Sequence, residues 1–216
     1  MQAIVFAAGQ ATPDGLATLA PIIEAAELVV AADGGAVLAA QAGTGVDAVL
    51  GDLDSAPAEL VDELRRGGTE VVEVSPDKDE TDLELALAYV AAAGADQVTV
   101  VGALGGRVDH ELANVGLIAA RRWHDAGIAM TIDDGVCRIV VVHDSVLLAE
   151  PPGTTISVIP SAGHARGVNE RGMQWDLHDA TLLAGSPQGM SNVAVAETQK
   201  ISVEEGCLLV IIDRTE

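Results

Sequence analysis

Residues 48–55 read Ala-Val-Leu-Gly-Asp-Leu-Asp-Ser: an apolar run stops at a glycine and gives way to two carboxylates. The same event recurs along the first two thirds of the chain. Residues 28–32 end in Asp33-Gly34-Gly35, residues 70–74 are followed by Asp77-Lys78-Asp79-Glu80-Thr81-Asp82, and residues 97–101 lead to Gly105-Gly106-Arg107-Val108-Asp109-His110. With 3–7 and 129–132 these runs make a series of candidate strands. Between them, 58–66, 81–93 and 111–126 repeat apolar residues at helical spacing, with Leu83, Leu87 and Val90 on one face. Strands apolar on both faces and separated by helices predict an α/β domain whose parallel sheet is covered on both sides by helices. Ligands of such sheets bind beyond the carboxyl ends of the strands, where these acidic segments fall.

Clustered carboxylates repel one another and cost desolvation. Several of them at strand ends make physical sense around a hard cation, with nearby glycines letting backbone N–H groups approach anionic oxygens. The combination points to a magnesium–nucleotide site.

The whole composition bears on that reading. The chain has 216 residues, 49% of them hydrophobic, which excludes disorder; its 11 basic and 33 acidic residues give a formal charge of −22. Such a surface repels nucleic-acid phosphates and anionic lipid, so neither is an expected partner. It also repels ATP, and a nucleotide site must therefore neutralise phosphate locally, with metal and the few cations at hand. Lysine occurs only at 78 and 200, which singles out Lys78 among its aspartates. Cys137 and Cys207 are far apart and lack CxxC spacing, so neither a disulfide framework nor zinc is expected. The N-terminal stretch has no basic region, and no apolar run approaches the ~18 residues that span a bilayer. These features predict a cytoplasmic protein.

Beyond about Val136 the texture changes. Residues 137–143, 145–149, 155–159, 193–196 and 208–212 are β-branched runs, punctuated by Pro151-Pro152-Gly153, Gly185-Ser186-Pro187 and Glu205-Gly206. Short strands at turn-marked intervals predict an antiparallel all-β sandwich or barrel. The expected domains are 1–135 and 136–216.

Each constellation has a plainer alternative. If residues 52–54 are extended, Asp52 and Asp54 point the same way as a metal pair, yet Asp54 or Ser55 could equally cap the helix that Pro57 starts. Thr81 and Glu84 make a capping box, which explains some of the acids around them but not Lys78. Gly105-Gly106 before a helix start can present N–H groups to an anion beside Arg107, or be an ordinary turn. No GxxxxGK[ST] or GxGxxG segment occurs. In the second half, Trp175 in Gly172-Met-Gln-Trp, between Gln174 and Asp176, suits either an aromatic wall or core packing.

Taken in order, these segments resemble thiamine pyrophosphokinases. The resemblance rests on Asp33-Gly34-Gly35, Gly51-Asp-Leu-Asp-Ser55, Lys78-Asp-Glu-Thr-Asp82, Gly105-Gly-Arg-Val-Asp-His110 with Asn114, Gly172-Met-Gln-Trp175 and Ser191-Asn192. One departure is Val193, where the family pattern leads us to expect a glutamate. The resemblance implies an N-terminal domain that binds magnesium-ATP and a C-terminal β-sandwich that binds thiamine and mediates dimerisation. In the implied homodimer, thiamine sits between domains of different chains. It also implies transfer of pyrophosphate from ATP to the thiamine hydroxyl, giving thiamine diphosphate and AMP. By position, Asp52, Asp54, Asp79 and Asp82 correspond to the metal shell. Lys78, Thr81 and Arg107 correspond to phosphate contacts, with Asp33, Gly34, Gly35, Gly105 and Gly106 on the nucleotide side. Trp175, Ser191 and Asn192 correspond to the thiamine side. Asp54, Asp82, Arg107 and Asp109 are the implied catalytic groups, and either Asp109 or one of the metal shell would take the hydroxyl proton. Thiamine is a cation, which an acidic surface favours. The competing readings are a pyrophosphokinase acting on a hydroxymethyl-dihydropterin and a non-catalytic acidic domain that binds calcium or a partner.

Overall fold

A computed structural model describes residues 1–214, which divide into two compact units. The first comprises Met1–Leu117 and Ala126–Gly135; the second takes Ile118–Asp125 and the chain from Val136 onward.

In the first unit the strands are β1 (Gln2–Phe6), β2 (Leu28–Ala32), β3 (Ala48–Gly51), β4 (Glu70–Glu73), β5 (Gln97–Val101) and β6 (Ala129–Asp133). They lie in the order β6-β5-β1-β2-β3-β4, and every pairing is parallel. The intervening helices are α1 (Pro13–Glu24), α2 (Gly35–Gln41), α3 (Ala58–Gly67), α4 (Asp82–Ala92) and α5 (Val108–Ile118). Both faces of the central strands are buried: Val5, Phe6, Val30, Ala31, Val49, Val100 and Val101 have no exposure. This is why the strands read as unbroken apolar runs rather than alternating ones. The chain steps outward from β1 to β4 and then returns to the other side of β1 for β5. Strand order therefore reverses between β1 and β5, the place at which such a sheet binds its ligands.

One expected helix is broken. Instead of a single helix over 111–126, α5 stops at Ile118 and a short α6 (Arg121–Asp125) follows. Ile118 and Trp123 are both buried. Five residues apart on one helix, they would point about 140° from each other, so a break is needed to bury both.

The second unit is a sandwich of two antiparallel sheets. One has the order β12 (Asn192–Val193), β9 (Thr155–Pro160), β14 (Leu208–Asp213) and β7 (Cys137–Val142). The other has β11 (Ala180–Leu182), β10 (Ala165–Arg171), β13 (Gln199–Ser202) and β8 (Ser145–Leu148). Ile156, Val158, Val168, Leu182, Ile201, Leu208 and Ile212 fill the space between them. Burying each of the larger side chains contributes about 1.5–3 kcal/mol. Strands β10, β11 and β13 lie outside the runs picked out in the sequence, because β10 and β13 bury polar side chains, Glu170 and Gln199, at inward positions. Among the described residues no helix is long and apolar enough to cross a membrane.

Candidate active site

Three carboxylates meet at the carboxyl ends of β2 and β3 and the start of α4. Asp33, Asp52 and Asp82 each offer an oxygen, and these oxygens all lie within 4.8 Å of one another. Asp33 follows β2 in a left-handed conformation (φ 43°) and is buried, its N–H bonded to Leu50 O at 2.8 Å. Asp52 follows β3. Asp82 opens α4, whose N-cap Thr81 accepts a hydrogen bond from Glu84 N–H at 3.2 Å. Gly51 makes the convergence possible: a Cβ there would lie 2.7 Å from Asp33 Cβ and 3.2 Å from Asp82 Cγ, inside the cluster itself.

The electrostatics of this trio are unbalanced. At an effective dielectric of ~20, two unit charges at such a separation repel by about 3 kcal/mol. Against these repulsions stands Lys78, whose Nζ forms an ion pair with Asp82 Oδ1 at 3.1 Å. Asp33 Oδ1 and Asp82 Oδ1 are buried and have no hydrogen-bond partner among the described residues. Burial pushes the Asp82 carboxyl above its ordinary value; Lys78 pulls it down, and the charges of Asp33 and Asp52 push it up again. Buried, unpartnered carboxylate oxygens with an all-oxygen donor set fit a hard divalent cation such as magnesium.

Asp54 stands at the rim of this cluster. The extended conformation that would align it with Asp52 is not adopted, since Leu53 between them is left-handed (φ 60°). Asp54 N–H reaches Asp52 Oδ1 at 3.4 Å, and the exposed Asp54 carboxylate accepts from Ser55 Oγ at 2.9 Å. A non-glycine residue held in this region stores on the order of 1–3 kcal/mol, a strain that clusters at functional sites. Asp79 is exposed and lies outside the trio.

A cavity of about 690 Å³ opens beside Asp33 and Asp82, bounded by Lys78 and Thr81 on one side and by Gly106, Arg107 and Asp109 on the other. Its far wall is the loop after β5, fastened to the loop after β1. Gly9 N–H donates to Gly102 O and Gln10 N–H to Leu104 O, at 2.8 and 2.9 Å. A Cβ on Gly9 would sit 2.3 Å from Gly102 O, so only glycine allows this approach. Asp134 Oδ1 accepts from Gly102 N–H at 2.7 Å, and burial raises this carboxyl to about 6. Asn114 Nδ2 donates to Ala103 O at 2.9 Å. Arg107 holds Asp109 in a two-pronged pair, Nε–Oδ1 at 3.1 Å and Nη2–Oδ2 at 2.7 Å, which lowers the Asp109 carboxyl. Both side chains are exposed and free to swing. The Gly106 N–H donates to the Glu111 carboxylate, at Oε1, at 2.7 Å. Gly34 precedes α2 and Gly35 begins it; a Cβ on Gly35 would meet Phe6 O at 2.0 Å, so its role is packing against β1. Gly105 (φ 79°) turns the loop beside Gln10.

The sequence places Asp33 on the nucleotide side but outside the expected metal shell, and it leaves unmarked the loop after β1, which carries no charge. The signal that could have exposed Asp33 is its equivalence to Asp52: both directly follow a buried strand.

In the second unit, Trp175 is 59% exposed and so is not part of the core. Ser191 is exposed and left-handed (φ 55°), its N–H bonded to Ser157 Oγ at 2.9 Å. Asn192 is buried, and its amide is engaged on both sides. Oδ1 accepts from Trp175 N–H and Val193 N–H, at 3.1 and 2.9 Å; Nδ2 donates to Trp175 O and to Glu170 Oε2, both at 2.9 Å.

Residues 19–132 match the model of the thiamin pyrophosphokinase catalytic domain, and residues 143–208 match that of the thiamin pyrophosphokinase vitamin B1 binding domain. The chain belongs to the thiamin pyrophosphokinase family. Among relatives in this family, thiamine pyrophosphokinase 1 of Arabidopsis thaliana is 30% identical over 167 residues, covering 73% of this chain and 61% of the relative. The chain thus spans about three fifths of the length of such plant relatives. The fold is that of the Bacillus subtilis thiamine pyrophosphokinase crystal structure, with a TM-score of 0.85 at 22% identity over the full length of both chains. The Geobacillus thermodenitrificans thiamin pyrophosphokinase structure gives 0.81 at 26% identity, over 99% of this chain and 97% of that one.

Proposed function

We propose that this chain is a thiamine pyrophosphokinase, transferring pyrophosphate from magnesium-ATP to the hydroxyl of thiamine and releasing AMP. The observation that carries the reading is the trio Asp33, Asp52 and Asp82, in which Asp33 and Asp82 each keep a buried oxygen without a hydrogen-bond partner among the described residues and border a cavity that Lys78 and Arg107 flank. In a chain of this family, that arrangement is what a metal–triphosphate complex requires.

Asp33, Asp52 and Asp82 would hold magnesium, with Asp54 joining from the rim by rotation of its exposed side chain. The ion these residues would hold would supply positive charge that offsets the charge of the phosphates and of the departing AMP. Lys78 supplies a point charge to the phosphates and Arg107 a planar fork. Thr81, exposed at the start of α4, presents the positive end of that helix to the same anion. Arg107 cannot serve both the phosphates and Asp109. When it turns to the triphosphate it releases the Asp109 carboxylate, which then accepts the proton of the attacking hydroxyl.

On the thiamine side, Trp175 offers an exposed aromatic face that attracts a cationic ring, and Ser191 adjoins Asn192, whose amide bonds the Trp175 main chain. The proposal includes the homodimer, in which the aspartates and the tryptophan of one site come from different chains, and a cytoplasmic location.

The test is magnesium-dependent release of AMP, rather than ADP, when thiamine is added to protein and ATP. Release of AMP with a hydroxymethyl-dihydropterin but not with thiamine would replace this reading with its closest rival. No AMP with either substrate would leave the acidic site without the proposed chemistry.

A further inference from the structure

Glu170 is an anomaly in the sandwich core. It lies on β10 with no exposure, two residues from the buried Val168 on the same face of the strand. Oε2 accepts from Asn192 Nδ2 at 2.9 Å, while Oε1 is buried with no hydrogen-bond partner among the described residues. A buried carboxyl with an unmatched oxygen destabilises a fold, and an apolar side chain of the same size would pack there at no such cost. Stability therefore does not account for a glutamate at this position.

Its single partner does. The amide of Asn192 has two acceptor sites and two donor hydrogens, and all four are used. Two backbone N–H groups face Oδ1, while a carbonyl and a carboxyl face Nδ2, so only one orientation of the amide satisfies its surroundings. Three of the four bonds go to main chain and two of these to Trp175 itself, its N–H and its C=O. The fourth, to Glu170, locks the rotation of the amide. Around it the turn is pinned by Gln174 N–H to Val193 O at 2.8 Å and Val195 N–H to Gly172 O at 3.0 Å. An exposed indole is thus mounted on a main chain that cannot shift.

We propose that Glu170 and Asn192 form a positioning pair that fixes the main chain of Trp175, so that Asn192 supports the aromatic wall rather than touching substrate. The proposal rests on the preceding functional reading only where it names thiamine as what the wall receives; the clamp stands on geometry alone.

Two measurements on the full chain separate these levels. The first is steady-state kinetics with magnesium-ATP and thiamine. The second is fluorescence anisotropy of Trp175 in a Trp123→Phe background, without substrate. Glu170→Met keeps the volume and removes the acceptor and the buried charge, and so should fold. It is expected to raise the thiamine KM about three- to tenfold, the value of one ordinary hydrogen bond, with kcat and the ATP KM within about twofold. Glu170→Gln, which can still accept from Nδ2, should restore the thiamine KM to within about twofold. Trp175 anisotropy should fall in Glu170→Met and further in Asn192→Ala. If Glu170→Met does not fold, Asn192→Ala against Glu170→Gln decides the same point. Unchanged anisotropy in both clamp-breaking variants overturns the proposal. So does an Asn192→Ala that loses thiamine affinity with anisotropy intact, since Asn192 would then be a direct contact. A chain that releases no AMP overturns the functional reading while the anisotropy still judges the clamp.

Discussion

The two units of this molecule treat their buried polar groups in opposite ways. At Asp33, Asp52 and Asp82 oxygens are crowded and two of them have no hydrogen-bond partner among the described residues. At Asn192 every donor and acceptor is matched inside the chain. The difference teaches how to tell a ligand site from its scaffold. A fold tolerates unmatched charge where something else completes it, and it closes its hydrogen bonds where a side chain must be held still. Glu170 lies between the cases, with one oxygen spent on the scaffold and one left over.

Breaking the unmatched site should have the largest effect. Asp82→Asn or Asp52→Asn is expected to reduce AMP release by about a thousandfold or more, because each removes charge that holds the metal against the triphosphate. The fold should survive, since removing one of three repelling charges relieves more than it costs. Turnover assays alongside thermal melts check both halves, and normal activity in either variant would sink the assignment.

Removing the wall rather than its mount comes next. Trp175→Ala should raise the thiamine KM about three- to thirtyfold, corresponding to an aromatic–cation attraction of about 0.5–2 kcal/mol, and leave the ATP KM nearly unchanged. Equal changes in both constants would mean that the two functions are not divided between the units.

The smallest expected effect concerns stability and sharpens the place of Glu170. Burial lifts its carboxyl from the ordinary 4.5 to about 7, with the nearby Asp176 charge adding to the rise and the Asn192 bond opposing it. The unfolded chain ionises first as pH rises, so the folded state loses stability between about pH 4.5 and 7 and stays at the lower level above that. Glu170→Gln removes this dependence. The variant should exceed the parent by on the order of 1–3 kcal/mol at pH 8, and the gap should vanish below about pH 4. Denaturant titrations at the two pH values check it; a gap of the same size at both would deny the buried titration.

Much of this was legible in the chain before its fold. The parallel sheet shows itself because β1, β2, β3 and β5 are apolar on both faces, and the acidic segments mark its carboxyl edge. The capping role of Thr81 toward Glu84 is read directly from spacing. What stayed hidden depends on three-dimensional approach. The Ala7–Gln10 loop carries no charge, and its importance lies in how closely Gly9 passes Gly102. The left-handed turn at Leu53, which separates Asp54 from Asp52, has no glycine to announce it. Strands β10 and β13 carry Glu170 and Gln199 inward, against the alternation that identifies a half-buried strand.

The central claim is that the trio is built for a divalent cation. It is tested most directly by titrating manganese, a paramagnetic stand-in for magnesium, into protein with ATP and following the free-ion electron paramagnetic resonance signal. Asp33→Asn, Asp52→Asn and Asp82→Asn should each weaken manganese binding about tenfold or more, whereas Asp79→Asn, exposed and outside the trio, should change it less than about twofold. Undiminished binding in the three trio variants, or a loss with Asp79→Asn as large as with Asp82→Asn, would contradict it.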